Sequence, residues 1–307
     1  MNKLKKIGLT ALGTAMVATS ASAGTVSVSG VTGMTYDHSS GVDTGNDWSM
    51  KTTMNFTGSA ELDNGFNVSY FQNLVAGAIG NYNFKVDMGD AGTYAFYGDA
   101  GNNPIAALDD KTPSANEESW AVVSGVTAAH QGQSSANSHG YSVDLMDGMN
   151  LKLHLTPSGS AAAGSTEEYA IVYTGMENLE LGIAMGDNVA TAGTEIENTN
   201  MYAIYTMGSM KIGLQKNESD SSAASGDTDF QAVGISYAIS DDLSVSYNIS
   251  TVDHEDSSKD DQDANGVSVS YTNGSVTIAG SMHQVDNVAG TAGSDRDGSE
   301  LNVTFAF

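Results

Sequence analysis

Apolar and polar residues alternate with a period of two along most of this chain. In Thr25-Val26-Ser27-Val28-Ser29, Ser244-Val245-Ser246-Tyr247-Asn248-Ile249 and Val267-Ser268-Val269-Ser270-Tyr271, one residue set is apolar and the other small or polar. That period marks an extended strand with an apolar phase on one face and a polar one on the other. Cut at its turn signals, the pattern predicts sixteen strands, at 25–37, 47–61, 65–75, 81–88, 92–98, 139–146, 149–156, 166–176, 178–187, 199–207, 209–217, 228–239, 242–252, 264–273, 275–286 and 298–307. The stretch 120–129 reads equally as strand or loop.

A soluble sandwich would alternate in the same way, so the connections decide. Asp63-Asn64-Gly65, Gly89-Asp90, Asp147-Gly148, Glu177, Gly208, Asp241 and Asn273-Gly274 mark tight turns. Between them come longer polar loops at 38–46, 76–80, 99–138, 157–165, 188–198, 218–227, 253–263 and 287–297. Tight turns on one rim, longer loops on the other and an even strand count predict an all-β fold, a transmembrane antiparallel β-barrel of 16 strands. The final strand, Glu300-Leu301-Asn302-Val303-Thr304-Phe305-Ala306-Phe307, stops on an aromatic. Such an edge suits a barrel that pairs its last strand with its first, because lipid satisfies no open backbone group.

The first residues fit a membrane address. Lys3, Lys5 and Lys6 precede an apolar run from Ile7 to Val17 and a small-residue site, Ala21-Ser22-Ala23. This predicts a secretory signal peptide over 1–23, ahead of a single barrel domain over 24–307. The apolar run is too short for a transmembrane helix, which needs about 20 residues. Removing the leader takes the net charge from −26 to −29. So acidic a chain, with Arg296 its one arginine, excludes nucleic acid as a partner. Cysteine is absent, which excludes thiolate chemistry and disulfide frameworks.

Aromatics are expected at both membrane interfaces. Tyr36, Trp48, Tyr82, Tyr169 and Phe230 fall at the loop ends of their strands, and Phe66, Tyr237, Tyr271 and Phe307 at the turn ends. With the apolar set facing lipid, the other set faces the lumen. In Trp48–Phe56 the even positions face out, so Lys51 faces in; by the same parity so do Lys85, Asp87, Lys152, His154, Lys211 and Gln215. A lysine facing lipid at the bilayer midplane would cost about 2–4 kcal/mol. The loop 99–138 is long for a connection and carries Asp99, Asp109, Asp110, Glu117 and Glu118. Sixteen strands leave an aqueous channel unless something narrows it. Folded inward, this loop would set its carboxylates opposite Lys51 and Lys85 and create a transverse field across the narrowest point.

With its leader, the strands Val26–Tyr36 and Trp48–Leu62, the Asp63-Asn64-Gly65 turn, the partner strand Gly65–Tyr70, the acidic third loop and terminal Phe307, the mature chain resembles the general-diffusion porins of Gram-negative bacteria, especially the short alphaproteobacterial type. The resemblance implies a homotrimer in the outer membrane, in contact with its lipid and lipopolysaccharide and passing small hydrophilic solutes. It implies insertion by the barrel assembly machinery reading the last strand, with Phe305 and Phe307 as its signal. It also implies an eyelet with Asp109, Asp110, Glu117 and Glu118 on its acidic side and Lys51 and Lys85 on its basic wall. The family's wall is arginine-rich where this one has lysines, and the second loop is short.

Enzymatic signatures are missing. The six histidines have no i, i+4 pairing, so no zinc site is suggested. Asp261-Gln262-Asp263-Ala264-Asn265-Gly266 opens like a calcium loop, but Thr272 stands where the bidentate glutamate belongs. Asp261, Asp263 and Asn265 therefore make only a weak candidate for Ca2+ or Mg2+. His139 near Ser142 and Asp144 is the nearest approach to a hydrolytic set, in a chain rich in serine. Passive diffusion, biased toward cations by luminal carboxylates, is the leading expectation. A substrate-selective pore and an acidic structural or adhesive surface protein are the alternatives.

Overall fold

The computed structural model describes residues 24–42, 45–99, 102–127, 136–158, 164–191, 194–223 and 226–307. The expected leader, 1–23, lies outside the described residues. Sixteen antiparallel strands form one closed barrel, each paired with its neighbours in sequence. They are β1 (Thr25–Ser39), β2 (Trp48–Glu61), β3 (Asn67–Val75), β4 (Ala78–Asp87), β5 (Thr93–Tyr97), β6 (Ser138–Met146), β7 (Met149–Thr156) and β8 (Thr166–Met176). The second half comprises β9 (Leu179–Thr191), β10 (Thr194–Met207), β11 (Met210–Ser221), β12 (Thr228–Ala238), β13 (Leu243–His254), β14 (Gln262–Asn273), β15 (Val276–Asp286) and β16 (Arg296–Ala306). Closure is between β1 and β16, in register from Val31 opposite Ala306 to Ser39 opposite Gly298. Gly30 N–H donates to the Phe307 carbonyl at 2.8 Å and Phe307 N–H to the Gly30 carbonyl at 2.9 Å, so the last residue completes the ladder.

The period-two pattern becomes the two faces of the wall. Met50, Leu214, Val233, Ile235, Tyr237, Tyr247, Ile249, Val267 and Val269 are exposed on one face. On the other, Asn200, Gln215, Asn217, Asn248, Ser250, Ser268 and Ser281 are buried. An apolar exterior and a polar interior invert a soluble core, as a barrel immersed in hydrocarbon requires. On β11 the apolar set ends at Leu214; beyond it Lys216 forms an ion pair with Glu218.

Four expectations need correction. Residues 76–80 are not a long loop: β3 and β4 are joined by Ala76-Gly77, with φ of 49° and 84°. This two-residue turn has positive φ at both positions, which suits the twist of a hairpin. The loop expected at 188–198 is largely strand, since β9 runs to Thr191 and β10 starts at Thr194, and the one expected at 218–227 begins later, since β11 extends to Ser221. A ladder needs backbone groups only, so it continues past the point where apolar side chains stop. The stretch 120–129, readable as strand or loop, holds no strand over its described residues 120–127. Phe230 is not a lipid-facing girdle residue: it is fully buried, with Trp120 edge-on to it at 4.8 Å between ring centroids. Trp48, Tyr82, Tyr169, Tyr237, Tyr271 and Phe307 are exposed, as their girdle positions require.

Candidate functional site: the segment between β5 and β6 and the wall it touches

Residues 102–127 run along the polar face of the wall and are tied to it strand by strand. At its start, the Asn103 side-chain amide donates to both carboxylate oxygens of Glu168 on β8, at 2.8 and 2.7 Å. The Ile105 N–H donates to the same carboxylate at 3.2 Å. Asn200 of β10 donates to the Ile105 carbonyl at 3.0 Å. On β11 the Gln215 side chain accepts from Lys111 N–H at 2.7 Å and donates to the Asp109 carbonyl, which Asn217 also reaches at 3.3 Å. Asn248 of β13 donates to the Pro113 carbonyl at 3.1 Å, and Ala115 N–H to Ser246 Oγ at 2.9 Å. Ser268 of β14 donates to the Glu117 carbonyl at 2.7 Å. Asn116 bridges Ser281 of β15 at 2.9 Å and Glu300 of β16 at 3.0 Å. At its far end, Ser124 N–H donates to Ser39 Oγ at 3.1 Å, and Arg296 donates to the Ser124 carbonyl.

The sequence equips the wall for this. Asn, Gln and Ser at alternate positions of β10 to β15 supply donors and acceptors to a segment that makes few hydrogen bonds of its own, which is how buried backbone groups are kept paired. Small residues let the chain approach. A Cβ at Gly213 would meet Pro113 Cδ at 2.3 Å, and one at Gly234 would meet Thr112 Cβ at 2.9 Å. Three apolar clusters fasten the segment: Ile105 and Leu108 against Ala170, Ala184 and Tyr202; Trp120 against Phe230, Ala232 and Val252; and Val123 against Ala264, Val285 and Val288.

Charges separate into two groups. Glu117 and Glu118 lie with Asp110, Asp37 and Glu300 within electrostatic reach, and Lys51 is the cation that reaches Glu117. Burial, then repulsion from Glu300, Asp110 and Asp37, raises the Glu117 carboxyl to about 7 despite Lys51. Burial and the charge of Asp110 raise Glu118 to about 8, against a hydrogen bond from Ser114. Asp109 is buried at the wall beside Gln215 and Asn217. Lys85 is within reach of Lys152, as is Lys111 of the segment itself, which also reaches Asp110. Lys152 also feels Glu180, whose carboxylate accepts from the Tyr202 hydroxyl at 2.5 Å. His154, on the same face of β7, stacks on Tyr97 at 5.7 Å. Lys211 is exposed, and the parity of β11 sets it on the same face as Gln215. Asp87 is exposed near the turn end of β4.

Of the lysines expected on the basic wall, Lys51 reaches Glu117 and Lys85 reaches Lys152, while Lys111 reaches both Lys152 and Asp110. Lys111, Asp37, Glu180, Glu168 and Glu300 were not foreseen as site residues. Parity alone could have found the four on strands; nothing periodic marks Lys111. Two residues of the weak calcium candidate have a defined place in the wall. Asp263 and Asn265 lie in β14, and Asp263 accepts from Thr251 Oγ1 at 2.7 Å. Among the described residues no group of three His, Cys, Asp or Glu side chains could hold a metal ion.

The sequence profile of Gram-negative porins matches residues 8–307. The chain belongs to the Gram-negative porin family. It is an outer-membrane channel protein of a Gram-negative bacterium. Solved porin structures are similar to it in fold at low identity. An anion-selective porin from Comamonas acidovorans superposes with a TM-score of 0.73 at 14% identity, over 92% of this chain and 99% of that one. The trimer form of OmpT from Vibrio cholerae gives 0.71 at 12% identity, over 93% and 100%. OmpF of Salmonella typhi, in complex with daunomycin, gives 0.70 at 12% identity, over 93% and 98%. No curated protein matches the chain in sequence.

Proposed function

We propose that this porin is a homotrimeric diffusion channel for small hydrophilic solutes and ions, narrowed by the segment 99–138 and favouring cations increasingly as pH rises. The single observation that carries the reading is the run of hydrogen bonds from Glu168 to Ser39, which ties residues 103–124 to the polar face of strands on opposite sides of the barrel. A segment so held follows the wall from β8 round to β1 and narrows the water path beside it, so solutes pass between its acids and the lysines of β4 and β7. Such a field is strongest where water is excluded, and it orders polar solutes while apolar ones lose hydration. The carboxylates Asp37, Asp110, Glu117, Glu118 and Glu300 outnumber Lys51 and Lys111, the cations that reach them, which supports the cation bias. The trimer form of the Vibrio cholerae relative supports a homotrimer. Outer-membrane lipid and lipopolysaccharide would meet the apolar exterior, and Phe305 and Phe307 would be read by the barrel assembly machinery.

Liposome swelling tests the reading. Proteoliposomes should swell in isotonic arabinose and glucose at rates that fall with solute size, and replacing residues 106–122 by a short Gly-Ser linker should flatten that dependence. A protein that admits no sugar would overturn it.

A further inference from the structure

The basic group surrounds a built recess. Along one cross-strand row, Lys85 of β4 faces Ala95 of β5, Ala95 faces Gly140 of β6, and Gly140 faces His154 of β7. Ala95 and Gly140 carry little side chain between Lys85 and His154, which leaves a recess beside Lys85 that the Tyr97 ring, lying over Gly140 and stacked on His154, closes on the β7 side. Lys152 borders it one row on, opposite Ser142. The cavity has a volume of about 360 Å³, and Asn102 of the segment forms part of its wall. Tyr97 makes the rim: a Cβ at Gly140 would meet its ring at 2.8 Å. Among the described residues, no carboxylate lines the cavity, in a chain with 37 acidic residues and 11 Lys and Arg.

Acids flank the recess without lining it: Asp87 and Asp144, two residues beyond Lys85 and Ser142 on the same face, accept from Gly89 N–H at 2.9 Å and the Asn150 amide at 2.8 Å. Glu168 holds Asn103 and Ile105, Glu180 accepts from Tyr202, and Asp99 accepts from Asn102 at 3.0 Å. His154 supplies the independent sign of a ligand. It is 5% exposed and its Nε2 has no hydrogen-bond partner, although it borders the cavity. A buried polar atom left unpaired is costly, and a ligand group at this point would satisfy it. Two ammonium groups, a hydroxyl and an imidazole converging on one space suit a compact anion with several acceptor oxygens.

We infer that this recess is a binding site for a small oxyanion, the phosphate or carboxylate group of a solute that pauses there on its way through the pore. The inference rests on the channel reading and deepens it: a pore that favours cations overall would also hold one class of anionic solute by a saturable step. Lys85 and Lys152 supply charge, Ser142 and His154 supply directed hydrogen bonds, and Tyr97 bounds the size.

Single-channel recording of the full-length protein in planar bilayers in potassium chloride tests it, with inorganic phosphate or succinate added in increasing concentration. Chloride current should fall to a plateau with either or both anions, phosphate alone indicating a tetrahedral ligand and succinate a carboxylate. Lys152→Gln and, separately, Lys85→Gln should each raise the half-blocking concentration tenfold or more, while Lys259→Gln in an outer loop leaves it unchanged. Conductance steps without a plateau overturn the inference alone. A plateau that neither lysine variant shifts overturns the site. Absence of conductance steps overturns the channel reading and the inference with it.

Discussion

Gly213 offers the sharpest perturbation of the segment. In Gly213→Ala the new Cβ would sit 2.3 Å from Pro113 Cδ and 3.1 Å from its Cγ. Carbon atoms settle at about 3.5–4.0 Å, so Pro113 must retreat by about 1.2 Å or more. Overpacking of this kind costs about 1–3 kcal/mol. The hydrogen bonds that hold the stretch here are Lys111 N–H to Gln215 and Asn248 to the Pro113 carbonyl. Each contributes about 0.5–1.5 kcal/mol net, so together they match the strain and can yield to it. Gly213 itself sits in a strand laddered on both sides, to β10 and β12, and that ladder does not move. The stretch 111–113 is therefore displaced away from β11, toward the water path. Single-channel conductance should drop and open-channel noise rise, while heat-resistant migration on a gel stays as in the parent. Gly58→Ala is the control, because its Cβ would meet nothing nearer than Thr25 O at 3.9 Å. Parental conductance and noise in a folded Gly213→Ala pore would refute the packing of the segment on β11.

Raising pH from 6 to 9 should increase the cation-to-anion permeability ratio, because Glu117 and Glu118 ionise near 7 and 8; reversal potentials measure it, and Glu117→Gln with Glu118→Gln should flatten the dependence. Both groups bind protons more tightly folded than unfolded, so stability falls as pH rises through this same window; denaturation midpoints in detergent at pH 5 and pH 9 should rank in that order. Glu168→Ala removes an acceptor of hydrogen bonds from Asn103 and Ile105, each worth about 1.5–3 kcal/mol to a charged group, and should make residues 99–138 protease-sensitive in an intact barrel. Trp120→Ala removes the edge-on contact with Phe230, at about 3–5 kcal/mol, and should increase current noise with unchanged selectivity.

The barrel was legible because its strands obey parity and its turns carry Gly, Asn and Asp where positive φ is needed. Phe230 shows where position misled and parity would not have. Val233, Ile235 and Tyr237 mark the lipid-facing set of β12, and Phe230 belongs to the other, with Ala232 and Gly234. The ends of β9, β10 and β11 were missed because Asp187, Asn188, Glu195, Glu197, Asn198 and the polar run 217–221 leave too few apolar residues to sustain an alternation, although backbone pairing continues. Glu168 is inward by the parity of Tyr169 and Ile171, yet its partner Asn103 lies 65 residues away in a segment without a period. Lys111 had no local mark at all: its place beside Lys152 and over the Tyr202 ring, at 5.9 Å, follows from how the whole segment is tied to the wall.

Reversal potential across a single inserted channel, in a tenfold potassium chloride gradient at pH 9, tests the central claim most directly. A water-filled barrel lined by ionised Glu117 and Glu118 predicts discrete conductance steps and a potential displaced toward the potassium equilibrium value. Steps with a potential displaced toward chloride, or no steps, would contradict it.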